Sequence, residues 1–138
     1  MEQRLSLITV AVSDLTVTRR FSIEGLGWEA FLDVEDVLMI RVGEHLLLSL
    51  WAHASFVDEV GPSTLGQGIA PITLAHNVRS DDEVDEILRL MERAGGSVVQ
   101  WGARREWGGR SGYAADPDGY RWEIACAGDG PLTDLVVP

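Results

Sequence analysis

Ser80-Asp81-Asp82-Glu83-Val84-Asp85-Glu86-Ile87-Leu88-Arg89-Leu90-Met91-Glu92-Arg93-Ala94-Gly95-Gly96 runs from a helix start signal to a helix stop signal. Ser80 with Glu83 three residues later is a capping-box signature. Val84, Ile87, Leu88 and Met91 recur at i, i+3, i+4 and i+7, which makes one apolar stripe on a polar helix. Gly95-Gly96 ends it. Residues 72–78 before the helix read as a strand, and so do residues 97–101 after it. Beyond a Gly/Arg-rich loop, residues 111–115 and 120–125 form two more strands. Asp116-Pro117-Asp118-Gly119 joins them, a turn with proline second and glycine last. The order is β-α-β-β-β.

The first half repeats that order. Residues 5–12 are rich in β-branched side chains and read as a strand. Ser13-Asp14 offers a helix N-cap, residues 15–23 carry a ragged helical pattern, and Gly25 and Gly27 stop it. Residues 28–32, 37–42 and 45–51 read as strands, the last two joined by a tight turn at Gly43-Glu44. Ser13-Asp14 recurs as Ser80-Asp81, and Gly27 as Gly95. Residues 52–70 lose periodicity and collect Gly61-Pro62-Ser63, Gly66 and Gly68, as a connector does. The fold class is therefore α+β: two βαβββ modules, about 4–52 and 71–128, joined by a connector at 53–70 within one domain, 1–138. Neither module has enough core to stand alone, so the two are expected to pair.

Composition narrows the function. The chain has 138 residues, 11 Lys+Arg against 22 Asp+Glu, and a net charge of −11. Nucleic-acid binding relies on neutralising phosphates, so this balance argues against it. A single cysteine, Cys126, excludes an internal disulfide framework and any Cys₂ or Cys₄ zinc site, and it reads as buried and inert. No run approaches the roughly 18 apolar residues of a spanning helix, and no signal segment is visible. A cytoplasmic protein without membrane attachment is expected.

Three stretches resemble a known family. They are Val12-Ser13-Asp14-Leu15, Gly25-Leu26-Gly27-Trp28 and, above all, Gly112-Tyr113-Ala114-Ala115-Asp116-Pro117-Asp118-Gly119-Tyr120-Arg121-Trp122-Glu123. Together they resemble the vicinal oxygen chelate superfamily, which includes glyoxalase I, extradiol dioxygenases and bleomycin-type antibiotic-binding proteins. The resemblance covers about residues 4–128. It implies that the two modules form a half-open mixed sheet around a central cavity. It also implies four metal-ligand positions in enzyme members, one from the first and one from the last strand of each module. Here those positions fall on Leu7, Ser49, Thr73 (Pro71 in an alternative register) and Glu123. Only Glu123 is a ligand type suited to Zn²⁺, Fe²⁺ or Ni²⁺. No metal and no cofactor are expected.

Several side chains remain as candidates for binding or chemistry. Glu123 reads either as a cavity carboxylate acting as acid/base or ligand anchor, or as a strand glutamate bonded to Arg121, Arg41 or a backbone amide. Arg41 is either a carboxylate anchor or an exposed strand arginine. Trp51, Trp107 and Tyr113 offer aromatic pocket walls, with Trp107 at the tip of a flexible loop able to close over a cavity mouth. Ser49, Thr73 and Asn77 fall on the cavity side. Strand alternation puts His76 on the other side, under the helix, unless a bulge reverses it. Arg104, Arg105 and Arg110 read as a solvated loop, with an anion clamp as the alternative. The expectation is a metal-free binder of a small organic ligand, aromatic or cationic, working as a homodimer. The alternative is a glyoxalase-like isomerase, lyase or dioxygenase using Glu123.

Overall fold

The capping box at Ser80 forms in the computed structural model, which describes residues 1, 3–62 and 68–137. The Glu83 N–H donates to Ser80 Oγ, and Ser80 Oγ in turn donates to Glu83 Oε1 over 2.8 Å. Helix α3 (Asp81–Arg93) follows. It closes with the Gly96 N–H on Met91 O and the Gly95 N–H on Glu92 O, the paired bonds of a left-handed C-terminal cap, and Gly95 has φ +107°. Val84, Leu88 and Met91 are buried, on a helix that packs against the sheet carrying the buried Ala114 and Ile124. Burial of each large aliphatic side chain contributes about 1.5–3 kcal/mol, so this stripe holds the helix to its sheet.

That sheet contains β5 (Thr73–Asn77), β6 (Ser97–Arg104), β7 (Arg110–Ala115) and β8 (Arg121–Cys126) in the order β5-β8-β7-β6. β5 runs parallel to β8, and the other neighbours are antiparallel. The first half has the same plan. β1 (Leu7–Val12), β2 (Ala30–Asp33), β3 (Val37–Gly43) and β4 (Leu46–Ala52) form a sheet of order β1-β4-β3-β2, with β1 parallel to β4. The α+β architecture of two βαβββ modules is as expected. The chain divides into two compact units, Met1–Gln67 and Gly68–Pro138.

The structure differs from the sequence reading in places. The first helix is α1 (Leu15–Arg19), capped by the Asp14 carboxylate on the N–H groups of Thr16 and Val17, and it widens into a π-helical stretch over Arg20–Gly25. Its cap is Asp14, whereas that of α3 is Ser80, so the structural repeat is offset by one residue from Ser13-Asp14/Ser80-Asp81. The connector holds a helix, α2 (His53–Val60), and the tail holds α4 (Pro131–Val136). Neither has a side-chain cap, so neither announces its start; only Gly61 (φ +116°) after α2 and Pro131 at the head of α4 mark them. Ser63 and Gly66 of the connector lie outside the described residues. Among the described residues, no helix is long and apolar enough to cross a membrane.

Candidate functional site

Strand pairing sorts the side chains of the second sheet into rows, because directly paired residues share a face. Gln100, Tyr113, Glu123 and Ala75 make one row. Ala103, Ser111, Ala125 and Asn77 lie on one side of it, and Ser97, Ala115, Arg121 and Thr73 on the other. The opposite face carries Ala114 and Ile124 and packs against α3. Glu123, Tyr113, Thr73 and Asn77 therefore share the face away from the helix. β5 pairs regularly from Thr73 to Asn77, and Pro71 precedes it, so Thr73 rather than Pro71 holds the strand position.

His76 pairs with Ile124 and stands on the helix side. The strand register separates it from Glu123, as simple alternation implies when no bulge intervenes, and it puts Arg104, Arg110 and Cys126 on the helix side as well. Partial burial pushes the His76 imidazole below the ordinary value, against the pull of the Glu83 charge.

On the helix-free face, Tyr113 Oη donates to Glu123 Oε1 over 2.9 Å. This replaces the partners that sequence offered for Glu123; Arg121 instead donates to Gly119 O. Burial, donation to Glu123 and the carboxylate charge all raise the Tyr113 pKa, so the phenol keeps its proton at neutral pH. Arg105 lies over the Tyr113 ring, 5.7 Å from its centroid. Its Nε donates to Ser111 Oγ over 2.9 Å, and its Nη2 donates to Ser111 O and Gln100 Oε1.

The three hairpin arginines thus part ways. Arg104 pairs with Asp81, and Arg110 donates to Asp85 Oδ2 over 2.6 Å; both partners are on α3. Burial alone would raise the Asp85 pKa, but the Gly102 N–H, the Arg110 bond and charge and the Arg89 charge outweigh it, and the carboxyl sits below its usual value. Sequence offers Arg105 only within the alternative of an anion clamp, and it does not offer Gln100 or Ser111. Beyond the arginine cluster the sequence carried no signal for them, because irregular pairing between Val98 and Ala103 re-aims side chains that simple alternation misplaces.

Trp107 sits at the turn closing this hairpin, where the Arg105 N–H donates to Gly109 O and the Gly108 N–H to Arg105 O. Its ring folds back onto Gly109, leaving no room there for a Cβ atom. It remains 57% exposed. Trp122 faces the helix side and donates from Nε1 to Asp116 Oδ2.

In the first sheet, Arg41, Ser49 and Trp51 share a face, on successive rows with Leu47 and Leu7, with Met39 and Thr9, and with Val37 and Ala11. Arg41 is exposed and lies 5.8 Å from the Phe31 ring centroid. Trp51 meets Phe56 of α2 edge-on at 6.4 Å. The Ser49 Oγ and the Trp51 Nε1 are buried without a hydrogen-bond partner.

The four ligand positions that the resemblance implies are Leu7, Ser49, Thr73 and Glu123. Leu7 and Thr73 open the two parallel edge strands, and Ser49 and Glu123 each stand two residues beyond the residues paired with them, Leu47 and Arg121. The register is the same in both modules, yet the donor set is an alkyl group, two hydroxyls and one carboxylate. That set does not fit a divalent transition metal, which takes imidazole and carboxylate ligands. Among the described residues, no group of three or more His, Cys, Asp or Glu side chains is placed to hold an ion.

The profile of the Glyoxalase/Bleomycin resistance protein/Dioxygenase superfamily matches residues 4–124. The chain belongs to this superfamily. A glyoxalase-related enzyme from Fulvimarina pelagi is 31% identical, with a TM-score of 0.83 over 91% of this chain and 88% of that one. A superfamily member from Nocardioides is 19% identical (TM-score 0.78, 95% and 87% covered). A lactoylglutathione lyase from Agrobacterium tumefaciens is 20% identical (TM-score 0.70, 91% and 95% covered). These last two share the fold. No curated protein matches the chain.

Proposed function

We propose that this superfamily member is a metal-free small-molecule-binding protein whose polar anchor is Glu123 with Tyr113, for an aromatic or cationic organic ligand. The observation that carries the reading is the Tyr113–Glu123 hydrogen bond on the helix-free sheet face. It leaves the carboxylate oriented but paired with no cation among the described residues. Such a carboxylate attracts an ammonium or another donor, and the −11 net charge draws cations towards the protein. On the same reading the protein acts in the cytoplasm as a homodimer, without nucleic acid or membrane.

A catalytic reading is favoured by one finding, the 31% identity to a protein described as a glyoxalase-related enzyme. In that version Glu123 takes a proton from the substrate, and Tyr113, held neutral, turns its hydroxyl to the oxygen on which negative charge develops. Both versions share a test. Tryptophan fluorescence is titrated with a panel of aromatic amines in wild-type protein and in Glu123→Gln. Quenching that weakens at least tenfold in the variant supports the anchor, and an unchanged affinity removes Glu123 from the site. Stoichiometric, tight uptake of Ni²⁺, Zn²⁺ or Fe²⁺ by the purified protein overturns the metal-free reading.

A further inference from the structure

Arg105 and Glu123 both contact Tyr113, and among the described residues no ion pair joins them. The Tyr113 hydroxyl occupies Glu123 Oε1, and the guanidinium lies against the Tyr113 ring. Among the described residues the partners of Arg105 are Ser111, Gln100 and that ring, none of them anionic. The neighbouring Arg104 and Arg110 each have a carboxylate. Of these three hairpin arginines, Arg105 is the one with no carboxylate partner among the described residues.

The hydrogen bonds of Arg105 fix its orientation. Nε is committed to Ser111 Oγ, and Nη2 to Ser111 O and Gln100 Oε1, so the plane of the group is held by three bonds to the hairpin. Nη1 takes part in none of them. Its two N–H donors belong to a cation whose rotamer entropy has already been given up, the condition under which a charge-assisted bond to an incoming anion is strongest. A hairpin staple alone would use Nε and Nη2. The unused end of the fork is what a binding role explains.

We propose that Arg105 Nη1 forms a carboxylate subsite next to Glu123, and that the ligand is an organic carboxylate that also carries an ammonium or hydroxyl donor. This deepens the reading given under Proposed function and rests on it for the Glu123 half of the ligand. The ligand's carboxylate accepts from Arg105, its donor meets Glu123, and its apolar part lies along the Tyr113 ring between them. Arg105 acts here as a specificity-determining residue and takes no part in any bond-breaking step.

Three probes separate the two halves: benzoate, benzylammonium and phenylalanine, which carries both groups. Each is titrated into the full chain by tryptophan fluorescence, with benzyl alcohol as the uncharged control. Benzoate should bind at least tenfold tighter than benzyl alcohol, the scale of one charge-assisted hydrogen bond. Phenylalanine should bind tighter than either single-charge probe. Arg105→Gln should weaken benzoate tenfold or more and change benzylammonium less than twofold, whereas Glu123→Gln should do the reverse.

Because Arg105 also ties the hairpin, a readout in wild-type protein stands beside the variants. In ¹⁵N-arginine-labelled protein, benzoate should shift the Arg105 Nε–Hε signal, assigned by its loss in Arg105→Lys. Benzoate that binds no better than benzyl alcohol, or leaves that signal unmoved, overturns the carboxylate subsite. If benzylammonium still binds through Glu123 in that case, the wider reading survives. Failure of both probes overturns the two together.

Discussion

Raising the pH from 4 to 7 should weaken the fold through Asp116, in the turn between β7 and β8. Its Oδ1 accepts from the N–H groups of Asp118 and Tyr120, each at 3.0 Å, and its Oδ2 accepts from Trp122 Nε1 at 3.2 Å. Burial disfavours the charged form, and the Asp118 charge adds to that. The three donors pull the other way and lose, so the carboxyl is raised from 3.8 to about 6. Between those two values the folded chain holds a proton that the unfolded chain has released. Stability from this group is therefore fully present below pH 3.8 and is lost as pH rises through 6. The shift is about two units, and each unit is worth about 1.4 kcal/mol, so the loss is up to about 3 kcal/mol.

Urea unfolding followed by tryptophan fluorescence from pH 4 to 7.5, on wild-type protein and on Asp116→Asn, isolates this effect. The variant cannot ionise, so the difference between the two curves cancels the other carboxylates. Losing the Trp122 bond gives that difference a constant offset and no slope. Wild-type stability relative to the variant should fall by up to about 3 kcal/mol across the range. A flat or rising difference would refute the reasoning, because it would mean that the three N–H donors outweigh burial.

Two further changes test how the polar face is supported. A Cβ on Gly112 would lie 2.6 Å from Leu88 Cδ1, 2.8 Å from Gln100 O and 2.9 Å from Gly102 N, and the last two cannot rotate away. Gly112→Ala should therefore destabilise by about 1–3 kcal/mol in a thermal melt, and an unchanged Tm would show that β6 yields freely. Asp85→Asn leaves Arg110 without its carboxylate and should cost about 2 kcal/mol at pH 7. Because the folded pKa of Asp85 lies below 3.8, that stability is present above pH 3.8 and disappears as pH falls through the lower value. A variant as stable as wild-type at pH 7 would show the bridge to be inert.

What sequence could reveal depended on whether the signal was local. The α3 cap, its apolar stripe and its glycine stop are all short-range, and each formed where the residues called for it. Period-two alternation also placed Thr73 and Asn77 on one face of β5 and His76 on the other; strand pairing adds Tyr113 and Glu123 to the first face, because β5, β7 and β8 pair without a slip. β6 defeated the same method. Its irregular pairing decides which residue Gln100 stands beside, and such irregularities depend on what the partner strand tolerates. Helix α2 was missed for a related reason, since it begins with no capping side chain and buries no residue fully.

The two modules share a register and differ in chemistry, and that contrast bears on where function resides. The row Leu32, Met39, Ser49 and Thr9 in the first sheet corresponds, strand for strand, to Gln100, Tyr113, Glu123 and Ala75 in the second. A thioether and an alkyl group stand where the second module has a phenol and an amide, and a hydroxyl stands where it has a carboxylate. Backbone pairing is indifferent to that exchange, because ladder bonds use only N–H and C=O groups. The face away from the helix is thus free to vary while the helix-packed face keeps its apolar residues, Leu38, Ile40, Leu48 and Leu50 in one module and Ala114 and Ile124 in the other. The charged anchors argued for ligand recognition, Glu123 and Arg105, both belong to the second module. Variants of Ser49 or Met39 should accordingly leave the dependence of binding on ligand charge unaltered.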